Sequence, residues 1–354
     1  VGKRLDYLDM TKGFGIILVV MGHIIYTEAH VMVWISSFHM PLFFVVAGVL
    51  MAVKNEDHSD PLAVIRHKAK GLLIPYFWFS LIDFVLDIGN VTLGKIDMHT
   101  FQVNAISSLT LYGKSVLWFL TALFFTSCYF VLLRSKLSDK VVPVMVVVIA
   151  AACYFLRTVL ENIYIANADN LLITSLVNFL RSFVRAGMVL PFLAGGYYIW
   201  RWLIGKMAGF TDDRPGKKIR TIRVMSAIVL FAVNITAAMV NWSIDTNNMV
   251  FGNIFLYYIG GFAGSFAVIM LMRSIPPVKP LSYLGRNSLI IMATHLDCYL
   301  LWAGLRVGLI IYGLVPLAPV LIIFTVVITL LLDCIVIEVI NRFFPFIIGK
   351  KRKA

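Results

Sequence analysis

Residues 9–23 read Asp-Met-Thr-Lys-Gly-Phe-Gly-Ile-Ile-Leu-Val-Val-Met-Gly-His: a cation, then ten residues without charge, then a histidine. If the run is helical at about 1.5 Å per residue, the eleven steps from Lys12 to His23 cover roughly 16 Å, about half a hydrocarbon core. Lys12 then sits at one membrane face and His23 deep inside. A histidine at that depth is costly, because its ring nitrogens need partners where bulk water is absent, so its default reading is functional. The plainer alternative is a structural histidine bonded to a neighbouring helix.

The rest of the chain supplies the membrane that this reading needs. Its 354 residues are 60% hydrophobic and 14% charged, with mean hydropathy +0.89. Apolar runs of about 18 residues or more recur along the whole length, which excludes a soluble domain and predicts an all-α polytopic integral membrane protein, a single membrane domain over 1–354. The net charge of +13 does not argue for nucleic acid, since the basic residues fall in short loops between apolar runs, where positive charge sets topology. Cys128, Cys153, Cys298 and Cys334 lie inside apolar runs without metal-ligand spacing, and read as small core residues. The first run lacks a small-residue cleavage site and continues into a second, so it reads as an uncleaved signal anchor. The start at Val1 points to a trimmed or processed beginning.

Ten spans are expected, at roughly 12–29, 32–53, 71–90, 115–134, 141–160, 184–203, 222–241, 248–272, 286–305 and 316–341. Segments on one side of these spans hold 25 of the 31 basic residues, in clusters such as Arg66-x-Lys68-x-Lys70 and Lys217-Lys218-x-Arg220. The positive-inside rule makes both termini cytoplasmic. The stretch 161–183 reads as an interfacial helix on the outer face running into the sixth span.

With topology fixed, His23, His39 and His295 fall within a few ångströms of one depth, which suggests one site. Asp83 and Asp87, with Asp297 and Asp333, are candidate carboxylates; one bonded to a ring nitrogen would fix the tautomer and raise basicity, as a general base needs. Arg181 and Arg185, four apart near the outer end of the sixth span, could hold an anionic or hydroxyl-rich group, or merely lipid phosphate. Arg66 and Lys70 share a helical face and could grip phosphates, with Lys68 between them; the plain alternative is a topology signal. Pro41 inside the second span is expected to kink it near His39.

Asp9-x-x-Lys12-Gly13 followed by His23, and Phe38-His39-Met40-Pro41-Leu42-Phe43-Phe44 with Gly48, resemble motifs of the membrane acyltransferase family 3 of bacteria, which acylates cell-surface sugars. Trp118-Phe119-Leu120 and Gly285-Arg286-Asn287-Ser288-Leu289 leading to His295 resemble later segments of that family. The resemblance implies a bacterial cytoplasmic-membrane enzyme that takes an acyl group, usually from acetyl-CoA, and transfers it to a hydroxyl of a glycan or lipid-linked sugar, with no metal. It gives His23 the catalytic role and Lys12 the matching cation. Asp9, His39 and His295 join the catalytic set; Arg66, Lys68 and Lys70 hold the donor; Asp83, Trp118, Arg181, Arg185 and Asn287 contact the acceptor. Lys12 stands where Arg is commoner, Arg66-x-Lys68-x-Lys70 only approximates the usual Arg-x-x-Arg, and Ala122 replaces a Glu found in larger members. By the last of these departures the chain looks nearer the compact branch, for which no appended esterase-like domain is expected. His23 as general base and His23 as acyl carrier both stay open, as does a homo-oligomer. The rival class is a glycolipid or proton-coupled transporter using the histidines as a relay; a sensor or assembly factor without chemistry is the third.

Overall fold

The computed structural model describes residues 5–24, 27–54, 60–206 and 216–350; the basic residues Lys3, Arg4, Arg214, Lys351, Arg352 and Lys353 lie outside them. Thirteen α-helices carry the described chain: α1 (Asp6–Gly22), α2 (Ala29–Val53), α3 (Pro61–Thr92), α4 (Met98–Leu109), α5 (Trp118–Lys136), α6 (Val141–Ala166), α7 (Leu171–Lys206), α8 (Lys217–Asn241), α9 (Ile254–Met272), α10 (Lys279–Arg286), α11 (Ser288–Thr294), α12 (Leu300–Leu314) and α13 (Ala318–Phe343). Among the described residues the only β pairing is an isolated bridge between Asp245 and Val250. Eight of the helices, α2, α3, α5 to α9 and α13, are long and apolar enough to cross a membrane. The chain is an all-α polytopic membrane protein.

Two of the ten expected spans take another form. The first helix occupies 6–22 rather than 12–29. The helix accommodates its early charges: Asp6 and Asp9 lie in the first turn, where the N-terminal partial charge of a helix favours carboxylates, and Lys12 pairs with Asp9 at 2.8 Å. His23 is therefore the residue that ends α1, not one buried in mid-helix. The ninth span, expected over 286–305, is broken. After α11 the chain leaves the helix at 295–299, Tyr299 adopts a left-handed conformation (φ +60°), and the Leu301 amide donates to the His295 carbonyl at 2.7 Å. Irregular backbone at membrane depth persists only where protein or a wet cavity receives it.

Smaller differences follow from helix continuity. Residues 161–166 finish α6, and the stretch from 171 runs without interruption through Pro191 into the sixth span. Helix α2 likewise passes through Pro41 unbroken. The amphipathic α4 was not anticipated; Asp97 caps it by accepting from the Thr100 amide at 2.7 Å.

The chain forms two compact units, Val1–Glu56 with Phe192–Ile337 and Asp57–Pro191 with Glu338–Ala354. In the first, Phe38, Phe44, Phe192 and Tyr257 are almost wholly buried, and Asn234 ties three helices together. Its amide donates to Ser37 Oγ at 2.8 Å and to the Gly260 carbonyl at 2.9 Å, while its oxygen accepts from Trp34 Nε1 at 2.8 Å. In the second, Phe79 and Phe130 are buried and Thr126 donates across to the Ala186 carbonyl at 3.0 Å. Val144, Val147 and Phe155 of α6 face outward, the arrangement of a helix whose solvent is lipid.

Candidate active site

The first unit brings His23 and His295 into contact. His295 Nε2 lies 3.3 Å from His23 Nδ1, with ring centroids 5.0 Å apart and the planes edge to face. His39 is close enough for its charge state to feel that of His23. All three rings share one local device. His23 Nδ1 is 2.8 Å from the Val19 carbonyl, His39 Nδ1 2.7 Å from Ile35 and His295 Nδ1 2.8 Å from Ile291, each four residues back along its helix. A carbonyl only accepts, so in each neutral ring Nδ1 carries the proton and Nε2 the lone pair. The carboxylate expected to fix the tautomer is thus replaced by backbone.

The consequence differs among the three. His295 is fully buried, and its Nε2 lone pair faces the Nδ1–H of His23, which is shared between that nitrogen and the Val19 carbonyl. His23 and His39 keep part of their surface open, and their Nε2 atoms make no hydrogen bond to a described residue. Among the described residues no three His, Cys, Asp or Glu side chains form a metal-binding group.

Of the expected carboxylates, Asp333 is fully buried on α13 and its Oδ1 lies 2.8 Å from the hydroxyl of Thr294, the residue preceding His295. Asp297 sits in the broken segment. Asp83 and Asp87 belong to the second unit, where Asp87 pairs with Lys114 and Asn104, both at 2.9 Å. The carboxylate whose charge reaches both His23 and His39 is one the sequence reading missed, Asp245. It lies in the 242–253 loop, held by its bridge to Val250 and by Asn241, which donates to the Phe251 carbonyl at 3.0 Å.

At the other end of α1, Asp9, the ion-pair partner of Lys12, and Gly13 lie against α10. A Cβ at Gly13 would fall on the Leu281 carbonyl oxygen and one at Gly285 on that of Asp9; only paired glycines let the two backbones approach so closely. The Asn287 amide donates to the Tyr283 carbonyl at 3.0 Å and so closes the last turn of α10.

The remaining expected site residues belong to the second unit. Arg66 and Lys70 are exposed on the first turns of α3, with Lys68 half-buried between them. Arg185 is fully buried, its guanidinium 4.4 Å from the centre of the Tyr112 ring and 5.0 Å from that of Trp118, and it donates to the Tyr112 carbonyl. Arg181 stacks on Tyr112 and Tyr164 and pairs with Glu161 at 2.7 Å. The loop that presents Tyr112 holds Leu111, Gly113 and Ser115 at positive φ. Asp83 is buried nearby, within electrostatic reach of Tyr76 as Arg185 is. Arginine stacked between aromatic rings beside a carboxylate is chemistry suited to a hydroxyl-rich group.

A family model described as an acyltransferase domain matches residues 5–334, nearly the whole chain. No curated protein and no solved structure matches the sequence.

Proposed function

The chain belongs to acyltransferase family 3, and from that premise we propose that it moves an acetyl group from acyl-CoA on the cytoplasmic side to a hydroxyl of a cell-surface glycan or lipid-linked sugar in the bacterial cytoplasmic membrane. One observation carries the chemistry: the Val19 carbonyl and His295 both engage Nδ1 of His23, which leaves Nε2 as a base. In this reaction the acceptor hydroxyl gives its proton to His23 Nε2 as its oxygen attacks the thioester carbonyl. The tetrahedral intermediate collapses, the C–S bond breaks, and the departing thiolate takes the proton back from Nε2. The products are an acetyl ester and CoA thiol. The imidazolium formed on the way is stabilised by the Val19 carbonyl, the His295 lone pair and the charge of Asp245.

Lys12 stands at the donor's entrance, and Arg66, Lys68 and Lys70 suit the donor phosphates by charge and exposure. His39, with its own Nε2 lone pair, accepts from a hydroxyl of the acceptor and so orients it. Within the second unit, Arg181, Arg185, Trp118 and Asp83 offer the stacking and polar chemistry suited to a sugar.

The test is thiol release by purified protein in detergent, with acetyl-CoA and a glycolipid extract, comparing wild type with His23→Ala. Release should depend on the acceptor and fall roughly 10²- to 10⁴-fold in the variant. Full turnover by His23→Ala at normal protein levels would remove His23 from the chemistry. Absence of both release and acyl-CoA binding in the wild type would favour the transporter.

A further inference from the structure

A small cavity adjoins the end of α1 in the first unit. It holds about 30 Å³ and is lined by His23, Ile24, Leu301, Trp302, Leu305 and Thr325. That is room for about two water-sized groups. Its walls are hydrocarbon and indole apart from His23 and Thr325, and the Thr325 hydroxyl already donates to the Leu321 carbonyl at 2.7 Å. A sugar placed there would leave its hydroxyls unpaired in an apolar space, whereas a short alkyl group would lose nothing.

The walls are also fixed. Gly304 and Gly308 bring α12 onto α13 so closely that a Cβ at either would strike the hydroxyl of Thr329 or Thr325. Leu301 and Leu305 share the buried face with those glycines, at helical spacing. Trp302, half exposed, forms the outer wall. On that side the cavity cannot widen to take extra methylenes without parting α12 from α13.

We propose that this cavity is the acyl pocket of the transferase inferred above, and that Leu301, Trp302 and Leu305 restrict the donor to two- or three-carbon acyl groups. The inference rests on the acyltransferase reading and names the part of the substrate that this space receives. His23, on the cavity wall, puts the proton acceptor beside the carbonyl that is attacked.

The experiment is a donor series of acetyl-, propionyl-, butyryl- and hexanoyl-CoA, followed by thiol release with the same acceptor extract, for wild type, Leu305→Ala and Leu301→Ala. In the wild type kcat/KM should fall by about tenfold or more from acetyl to butyryl, the scale of discrimination expected for added methylenes in an apolar pocket. Leu305→Ala should raise the butyryl-to-acetyl ratio by about tenfold, and Leu301→Ala should shift it in the same direction. Should Leu305→Ala not fold, Leu305→Val should give a smaller shift of the same sign. A ratio within about twofold of wild type in folded, active variants would overturn the pocket assignment, as would a wild type that prefers hexanoyl-CoA. Release from no donor by the wild type would instead overturn the acyltransferase reading, and the pocket with it.

Discussion

His295 Nε2 approaches His23 Nδ1 at 3.3 Å while its own Nδ1 faces the Ile291 carbonyl at 2.8 Å. His295 is therefore fixed as an acceptor toward His23. It touches the face of His23 opposite the nitrogen assigned as base, which makes it a positioning residue. When His23 takes a proton, the contact becomes charge-assisted, worth about 1.5–3 kcal/mol. Replacing His295 by Ala should lower kcat by roughly 10- to 100-fold and leave the KM for acetyl-CoA within about twofold; His295→Gln, which restores an acceptor, should recover part of the loss. Steady-state kinetics separate these outcomes, and a rise in KM with unchanged kcat would place His295 in donor binding instead.

The contact between α1 and α10 admits no side chain at Gly13 or Gly285. Gly285→Ala drives a methyl into the Asp9 carbonyl oxygen, so the helices must part. Overpacking of this kind costs about 1–3 kcal/mol. Thermal unfolding in detergent should show the loss, and turnover should fall with it because Lys12 and Asp9 lie on the displaced segment. Gly71→Ala is the control. A Cβ there meets nothing within 4 Å, and the unfolding midpoint should stay put or rise, since Ala is the better helix former.

Arg185 separates charge from shape. Buried between Tyr112 and Trp118 and donating to the Tyr112 carbonyl, it uses the flat guanidinium as much as the charge. Lys keeps the charge but neither stacks as a plane nor reaches as a fork. Arg185→Lys should therefore behave nearly as badly as Arg185→Met in thermal stability. Acceptor KM should rise about tenfold in the lysine variant if it folds. A lysine variant indistinguishable from wild type would show that charge alone is used.

Much of this architecture was legible in the sequence because membrane helices announce themselves by length and hydropathy, and the depth estimate grouped His23, His39 and His295, of which His23 and His295 are in contact. The break at 295–299 was not legible. The apolar residues of 288–294 and 300–314 read the same whether the helix continues or turns, and nothing in Tyr299 advertises a left-handed backbone. The tautomer lock was hidden for a related reason: the carbonyl four residues back is available to any helical histidine, so composition pointed to carboxylates instead. Asp245 was overlooked because it lies in a polar loop that the span count set aside. Asn234 was within reach of the same depth argument, being a carboxamide in the middle of an apolar helix, and its three partners show why it is tolerated there.

Arg66 and Lys70 allow the donor assignment to be tested apart from the chemistry. Both are exposed on α3, four residues apart, so they share one face, and long-range attraction between exposed charges is screened by salt. If they hold the phosphates of acyl-CoA, Arg66→Ala and Lys70→Ala should each raise the donor KM by about tenfold, with kcat within about twofold. The salt sensitivity of kcat/KM should weaken in both, since a charge contact has been removed. Removing two such contacts that act on one phosphate group should cost less than the sum of the single losses, because neighbouring contributions are not additive. Equal salt dependence and unchanged KM in the double variant would return these cations to their plainer role, that of marking which end of α3 stays in the cytoplasm.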